Sequence, residues 1–216
     1  MKLECTQDNL DKALSHISRA VSTRTTLPIT QNVLLKAVEG KLQLSATNLE
    51  MALNTWIGAS IAQEGETTIP ARLLTDLIRT FPNQNINLES DNENNTINIK
   101  CGPYDSNLIT QPTEDFPPIP QVENLEPQFE INADVLLKLI NSVIFSAAQD
   151  QSRPVLTGIK FSIENNTLTL ASADGFRLSI INYKFENSVN DQDFIVPSKS
   201  LAELARILPI VENSVK

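Results

Sequence analysis

The chain repeats itself, and that repetition constrains its fold more than any single motif. Thr26–Asn54 and Ser152–Ile180 align without a gap at an offset of 126 positions, matching Pro28 with Pro154, Leu42 with Leu168 and Leu44 with Leu170. The register extends back to Leu3 and pairs Glu4 with Glu130, Asp8 with Asp134, Leu10 with Leu136 and Lys12 with Lys138. Only seven of these 52 pairs are identical, so the similarity lies in the order of apolar and polar positions. A second block, Thr68–Pro82 against Ile195–Pro209, repeats at 127. A duplicated domain is the simplest reading, and 216 residues leave each copy enough chain for its own core.

The apolar spacing sets the elements of one copy. Leu10, Ala13, Leu14, Ile17 and Val21 recur at helical intervals and predict an amphipathic helix over 7–22. Alternation predicts strands over 1–6, 33–38, 41–47 and 51–61, the second and third joined by a turn at Glu39-Gly40. Pro70 suits a helix start because it has no N–H to leave unpaired. Leu73, Leu74, Leu77, Ile78 and Phe81 form the stripe of a helix that Pro82 ends. Strands over 86–90, 96–101 and 104–110 follow, with Asp91–Asn95 as a hairpin turn. The expectation is an α+β domain with an antiparallel sheet and two helices on one side. Glu114–Pro127, with four prolines, reads as an extended connector, giving domains over 1–124 and 125–216. At the 127 offset Lys216 corresponds to Glu89, so the second copy is expected to be truncated before its last strands.

Charge is unevenly distributed. The formal charge of −9 speaks against a polyanion partner, yet the four predicted helices (7–22, 71–81, 133–147 and 198–208) carry seven basic and five acidic side chains. The rest of the chain carries ten basic and twenty-one acidic ones. Lys12, His16 and Arg19 share one helix face, as do Arg72 and Arg79, opposite the apolar stripe. Taken singly these are solvated helix faces; their recurrence over four helices favours a shared basic face.

Catalytic chemistry is missing. His16 is the only histidine, Cys5 and Cys101 have no metal-ligand spacing, and there is no nucleophile elbow, phosphate-binding loop or paired-cysteine motif. The acid pairs Glu114-Asp115 and Asp191/Asp193 fall in predicted loops without a second ligand cluster. No enzyme, cofactor or metal is expected. No apolar run approaches ~20 residues and the N-terminus lacks a signal-peptide core, so a cytoplasmic protein without a membrane partner is expected.

Six motifs in order along the chain then carry a resemblance: STRTTLPI (22–29), ATNLEMAL (46–53), TIPAR (68–72), EDFPPIP (114–120), SRPVLTG (152–158) and ADGFRL (173–178). The chain resembles the N-terminal part of the bacterial DNA polymerase III β subunits, the sliding clamps. The resemblance implies the DNA-clamp fold, with the first domain and most of the second present and a third absent from this chain. It implies a non-catalytic processivity factor that closes as a full-length homodimer around duplex DNA. Its partners would be DNA polymerase III, clamp-loader subunits, other clamp-binding polymerases and repair proteins. By family position, Arg24, Gln149, Arg153 and Lys199 would face DNA, with Lys12, Arg72, Arg79 and Arg206 as channel bases. Leu156, Thr157, Ala173, Gly175, Phe176, Arg177 and Leu178 would line half of an apolar cleft for partner peptides, Phe176 standing where the family often has histidine. Without the resemblance, Leu156 and Leu178 read as core. Leu77 and Leu108 would give apolar contact at the dimer edge formed by Tyr104–Thr110, in which Ser106 takes a position that can be apolar in the family. A protein-interaction scaffold of the same fold that does not encircle DNA is the other reading of these residues.

Overall fold

A computed structural model describes residues 1–21, 27–91, 93–119, 126–150, 152–210 and 214–215. It divides into two compact units, 1–120 and 121–216. The first runs β1 (Lys2–Thr6), α1 (Gln7–Ile17), β2 (Asn32–Val38), β3 (Lys41–Thr47), β4 (Ala52–Gly58), β5 (Ser60–Gln63), β6 (Gly65–Pro70), α2 (Ala71–Thr80), β7 (Asn85–Asp91), β8 (Thr96–Cys101) and β9 (Tyr104–Ile109). All pairings are antiparallel, in a sheet of order β4-β3-β2-β6 and another of order β5-β1-β7-β8-β9. The helices lie side by side over the four-stranded sheet, α1 across β3 and β4 and α2 across β2 and β6. Leu10, Ala13, Leu14 and Ile17 of α1 and Leu74 and Ile78 of α2 are buried in one core with Leu35, Leu42, Leu44 and Leu88 from the sheets.

The predicted strand over 51–61 is in fact two. Its alternation continues across Ala59, but the chain changes sheets there: β4 pairs with β3 and β5 with β1. Periodicity reports which side chains face a core and is blind to which strand supplies the next hydrogen bond. The first and third helices are also shorter than predicted. Ile17 and Val143 end the α-helices, and 3-10 turns over Ser18–Ala20 and Ile144–Ser146 continue them. Leu73, assigned above to the buried stripe of α2, is 49% exposed. The helix stops at Thr80 because Phe81 precedes a proline and is driven into the extended region at ψ 148.

The second unit repeats the order with β10 (Ile131–Asn132), α3 (Ala133–Val143), β11 (Gly158–Glu164), β12 (Thr167–Ala173), β13 (Leu178–Lys184), β14 (Gln192–Pro197), α4 (Ser198–Ile207) and β15 (Ser214–Val215). Its sheet of order β13-β12-β11-β14 matches β4-β3-β2-β6 strand for strand, and β15 pairs with β10 as β7 does with β1. The Asn132 side chain caps α3 by accepting from the N–H groups of Asp134 at 2.9 Å and Val135 at 3.4 Å, meeting two of the donors a helix start leaves open. Pro70 and Pro197 each close a strand and open a helix, so the predicted helix starts stand at equivalent places. No described helix is long and apolar enough to cross a membrane.

Candidate functional site

The residues singled out above fall into three groups. The helix bases are exposed, as their position opposite the apolar stripe requires, but four of them are already paired. Lys12 lies 2.6 Å from Asp8, Arg72 3.8 Å from Asp76, Arg79 3.2 Å from Asp11 and Arg206 2.7 Å from Glu203. Arg79 also donates to the Ser15 hydroxyl at 3.0 Å, so it ties α2 to α1. Exposed pairs of this kind contribute ~0–1 kcal/mol, so a phosphate oxygen can replace the carboxylate at little cost, but the field they project is weak. Lys199 is exposed and has no ion-pair partner among the described residues. Gln149 and Arg153 are exposed on the segment that follows α3. Arg24 lies outside the described residues.

The proposed cleft is built from two short segments of the second unit. In the first, a 3-10 turn over Pro154–Thr157 is closed by Leu156 N–H donating to Arg153 O at 3.0 Å and the Thr157 hydroxyl donating to Pro154 O at 2.7 Å. It is anchored by Ala148 N–H donating to Leu156 O at 2.9 Å. The second is the four-residue turn Asp174–Arg177 between β12 and β13, whose strands remain paired up to Ala173 and Leu178. The Asp174 carboxylate accepts from Phe176 N–H at 2.9 Å, Arg177 N–H at 3.0 Å and Arg177 Nε at 2.9 Å. These donors, the Phe176 amide foremost, hold its carboxyl below the usual carboxylate range. Arg177 in turn stacks over the Phe145 ring, 5.8 Å from its centroid.

This scaffold holds apolar side chains in solvent. Phe176 at the turn tip is 97% exposed and Leu178 is 64% exposed, while Leu156, Thr157 and Ala173 are half-buried. The core reading of Leu178 is therefore wrong: it sits on the outward face of β13, where alternation puts Ile181 and Tyr183 inward instead. Sequence reasoning missed Phe145, Val155 and Ile180, which are exposed beside these segments. Ile180 was visible as the next outward position after Leu178, whereas Phe145 was masked by assigning it to the helix.

On the first unit, β9 is the edge of its sheet. Leu108 and Leu77 are half-buried and pack on the unit's own core, and Ser106 is likewise half-buried. The large apolar or aromatic groups that the β9 edge and α2 turn to solvent are Tyr104, Ile109 and Leu73.

Neither thiol is poised for chemistry. Burial, with Glu4 adding to it, pushes Cys5 up to about 12, and burial raises Cys101 as well. Among the described residues no group of three His, Cys, Asp or Glu side chains could hold a metal ion.

Comparison with known proteins gives this geometry a relationship. Residues 1–120 match the DNA polymerase III beta subunit, N-terminal domain, and residues 130–216 match its central domain. The beta sliding clamp of Proteus mirabilis is 34% identical over 210 residues, covering 96% of this chain and 56% of that protein. That of Synechococcus elongatus is 31% identical over 215 residues, covering 97% and 56%. Among solved structures, a Pseudomonas aeruginosa sliding clamp bound to griselimycin superposes with a TM-score of 0.84 at 30% identity, covering 100% of this chain and 58% of that one. The chain thus spans little more than half the length of the relatives it matches. With both units matched in order, it belongs to the DNA polymerase III beta subunit family.

Proposed function

We propose that this chain supplies two domains of a DNA sliding clamp, a non-catalytic cytoplasmic processivity factor that encircles duplex DNA and tethers the replicative polymerase and other DNA-processing proteins. The observation that carries the proposal is the family match over 1–120 and 130–216, with the same sheet-and-helix unit in each. Supporting it are helix faces whose basic residues are exposed yet largely ion-paired, a surface that attracts phosphate weakly and reads no base. Arg24, Gln149 and Lys199 serve as further DNA contacts. The apolar side chains around Leu156 and Leu178 receive short hydrophobic peptide segments of partner proteins. Leu77, Leu108 and the β9 edge contribute to the contact between the subunits of a full-length homodimer.

The test is topological. Full-length protein assembled on closed circular DNA is expected to stay bound through gel filtration and to be lost once the circle is linearised. Retention that survives linearisation would favour a clamp-fold scaffold that binds partners without encircling DNA.

A further inference from the structure

The segment Arg153–Thr157 and the turn Asp174–Arg177 are separated in sequence by β11 and β12, and one side chain joins them. The Arg153 carbonyl accepts the N–H that opens the 3-10 turn, and its Nη2 donates to Asp174 O at 3.2 Å. Its guanidinium lies directly on Gly175: a Cβ there would stand 2.8 Å from Nη1, closer than real Cβ atoms approach anything.

Gly175 has a φ of +93, and the usual explanation for a glycine would be that conformation. The first unit shows that conformation is not the whole reason. At the 126 offset the same turn is made by Asn48–Met51. Asn48 N–H donates to Met51 O at 3.1 Å, and the Asn48 side chain accepts from Glu50 N–H at 3.0 Å and Met51 N–H at 2.8 Å. The position of Gly175 is there held by Leu49, at φ +72, and that of Arg153 by Leu27. The first unit therefore carries a side chain here at a nearby φ, so in the second unit the guanidinium seated on Gly175 adds to the backbone's own preference for glycine, and a side chain at 175 would push the end of Arg153 off its seat.

We infer that Arg153 is a positioning residue, seated on Gly175, that clips the Arg153–Thr157 turn to the Asp174–Arg177 turn and sets the spacing of Leu156 and Leu178, rather than a phosphate contact. The clip stands on this geometry alone; its consequence for partner binding rests on the peptide-surface reading above. Arg153 leaves the set of DNA contacts, and the spacing between the two apolar segments becomes a property of one arginine–glycine pair.

The test compares Arg153→Leu, Gly175→Ala and the double variant in the whole chain by amide hydrogen exchange. Phe176 and Arg177 report the clipped turn, while Glu50 and Met51 report its unclipped counterpart in the same molecule. Arg153→Leu is expected to speed exchange at Phe176 and Arg177 by about tenfold, the effect of losing a charge-assisted hydrogen bond, without changing Glu50 or Met51. Arg153→Lys, which keeps a donor for the Asp174 carbonyl, should stay nearer the parent. Gly175→Ala should loosen the turn strongly in the parent and much less in the Arg153→Leu background. Equal effects of Gly175→Ala in both backgrounds, or unchanged exchange in Arg153→Leu, would overturn the clip. So would a fall of about one in the salt slope of binding to a duplex oligonucleotide in Arg153→Leu, because that is the signature of a phosphate contact. With the exchange result as expected, unchanged binding of a short synthetic peptide with leucine and phenylalanine anchors in Arg153→Leu would instead count against the peptide-surface reading.

Discussion

Strands β4 and β13 occupy the same place in the two units and turn different chemistry outward. Each is the edge of its four-stranded sheet, each pairs back to its neighbour from the turn onward, and each alternates along its length. Inward, β4 offers Leu53, Thr55 and Ile57, and β13 offers Ser179, Ile181 and Tyr183. Outward, the two positions next to the turn are Ala52 and Asn54 in the first unit but Leu178 and Ile180 in the second. The half of the strand that meets the core is held to its pattern by burial, and the half that meets water is free to specialise. Among the described residues the first unit exposes Leu27, Leu49 and Trp56, whereas the second sets Leu178 and Ile180 beside a turn that Arg153 joins to its neighbour.

The sharpest way to break this comparison is through what the units share. Leu44 and Leu170 are repeat equivalents and fully buried, so Leu44→Ala and Leu170→Ala should each cost ~2–5 kcal/mol in denaturant unfolding. If either were tolerated, the two cores would not be equivalent.

The next test concerns what the units do not share. On the peptide-surface reading proposed above, Leu178→Ala is expected to weaken binding of a short synthetic peptide with leucine and phenylalanine anchors by ~1–2 kcal/mol through lost apolar contact. It should shift stability by only about 0.5 kcal/mol or less, since the side chain is already in solvent. Trp56→Ala, on the outward face of β4, should leave that titration unchanged. A larger effect from Trp56 would move the binding surface to the first unit.

A smaller effect separates paired from unpaired bases. In the ring proposed above, Lys199→Ala should lower the salt slope of DNA binding by about one or less. Arg72→Ala should change it by a smaller fraction, because Asp76 already neutralises Arg72. Equal slopes for Lys199 and Arg72 would show that the ion pairs open on DNA.

The smallest effect is in pH. The Asp174 carboxyl lies below its ordinary value of 3.8, held there first by the Phe176 amide. A lowered folded value means that its contribution is complete above that ordinary value and is lost as pH falls through the folded one. Exchange at Phe176 and Arg177 should therefore depart from intrinsic acid behaviour below pH 3.8, while the Asn48 turn, whose capping side chain is an amide, should not. Parallel behaviour of the two turns would mean that the carboxylate charge contributes nothing beyond an amide oxygen.

Much of this was legible in the chain itself. Leu10, Leu14 and Ile17 announce α1 by spacing, and the alternation of Lys41–Thr47 and Thr96–Cys101 gives β3 and β8 residue for residue. Pro70 and Pro197 mark two helix starts. The change of sheet at Ala59 was not legible, because both strands keep the same alternation and only their partners differ. Nor was the exposure of Leu73: it lies at the margin of an apolar stripe, and the width of that stripe is decided by what packs against it. The site divides in the same way. Phe176, Arg177 and Leu178 could be named from the ADGFRL motif, but the seat of Arg153 on Gly175 could not, because it joins positions 22 apart through the fold.

By itself, then, the sequence determined the duplication, the element order of each copy and the positions that must be buried. These follow from local backbone preference and from the periods of 3.6 and 2 that any helix or strand imposes. Only the tertiary structure decided that Asp11 on α1 answers Arg79 on α2, that Leu178 stands in solvent and that Arg153 lies on Gly175. Those are contacts between residues remote in the chain, within reach of one another only after the strands between them have paired, and no local pattern carries that distance.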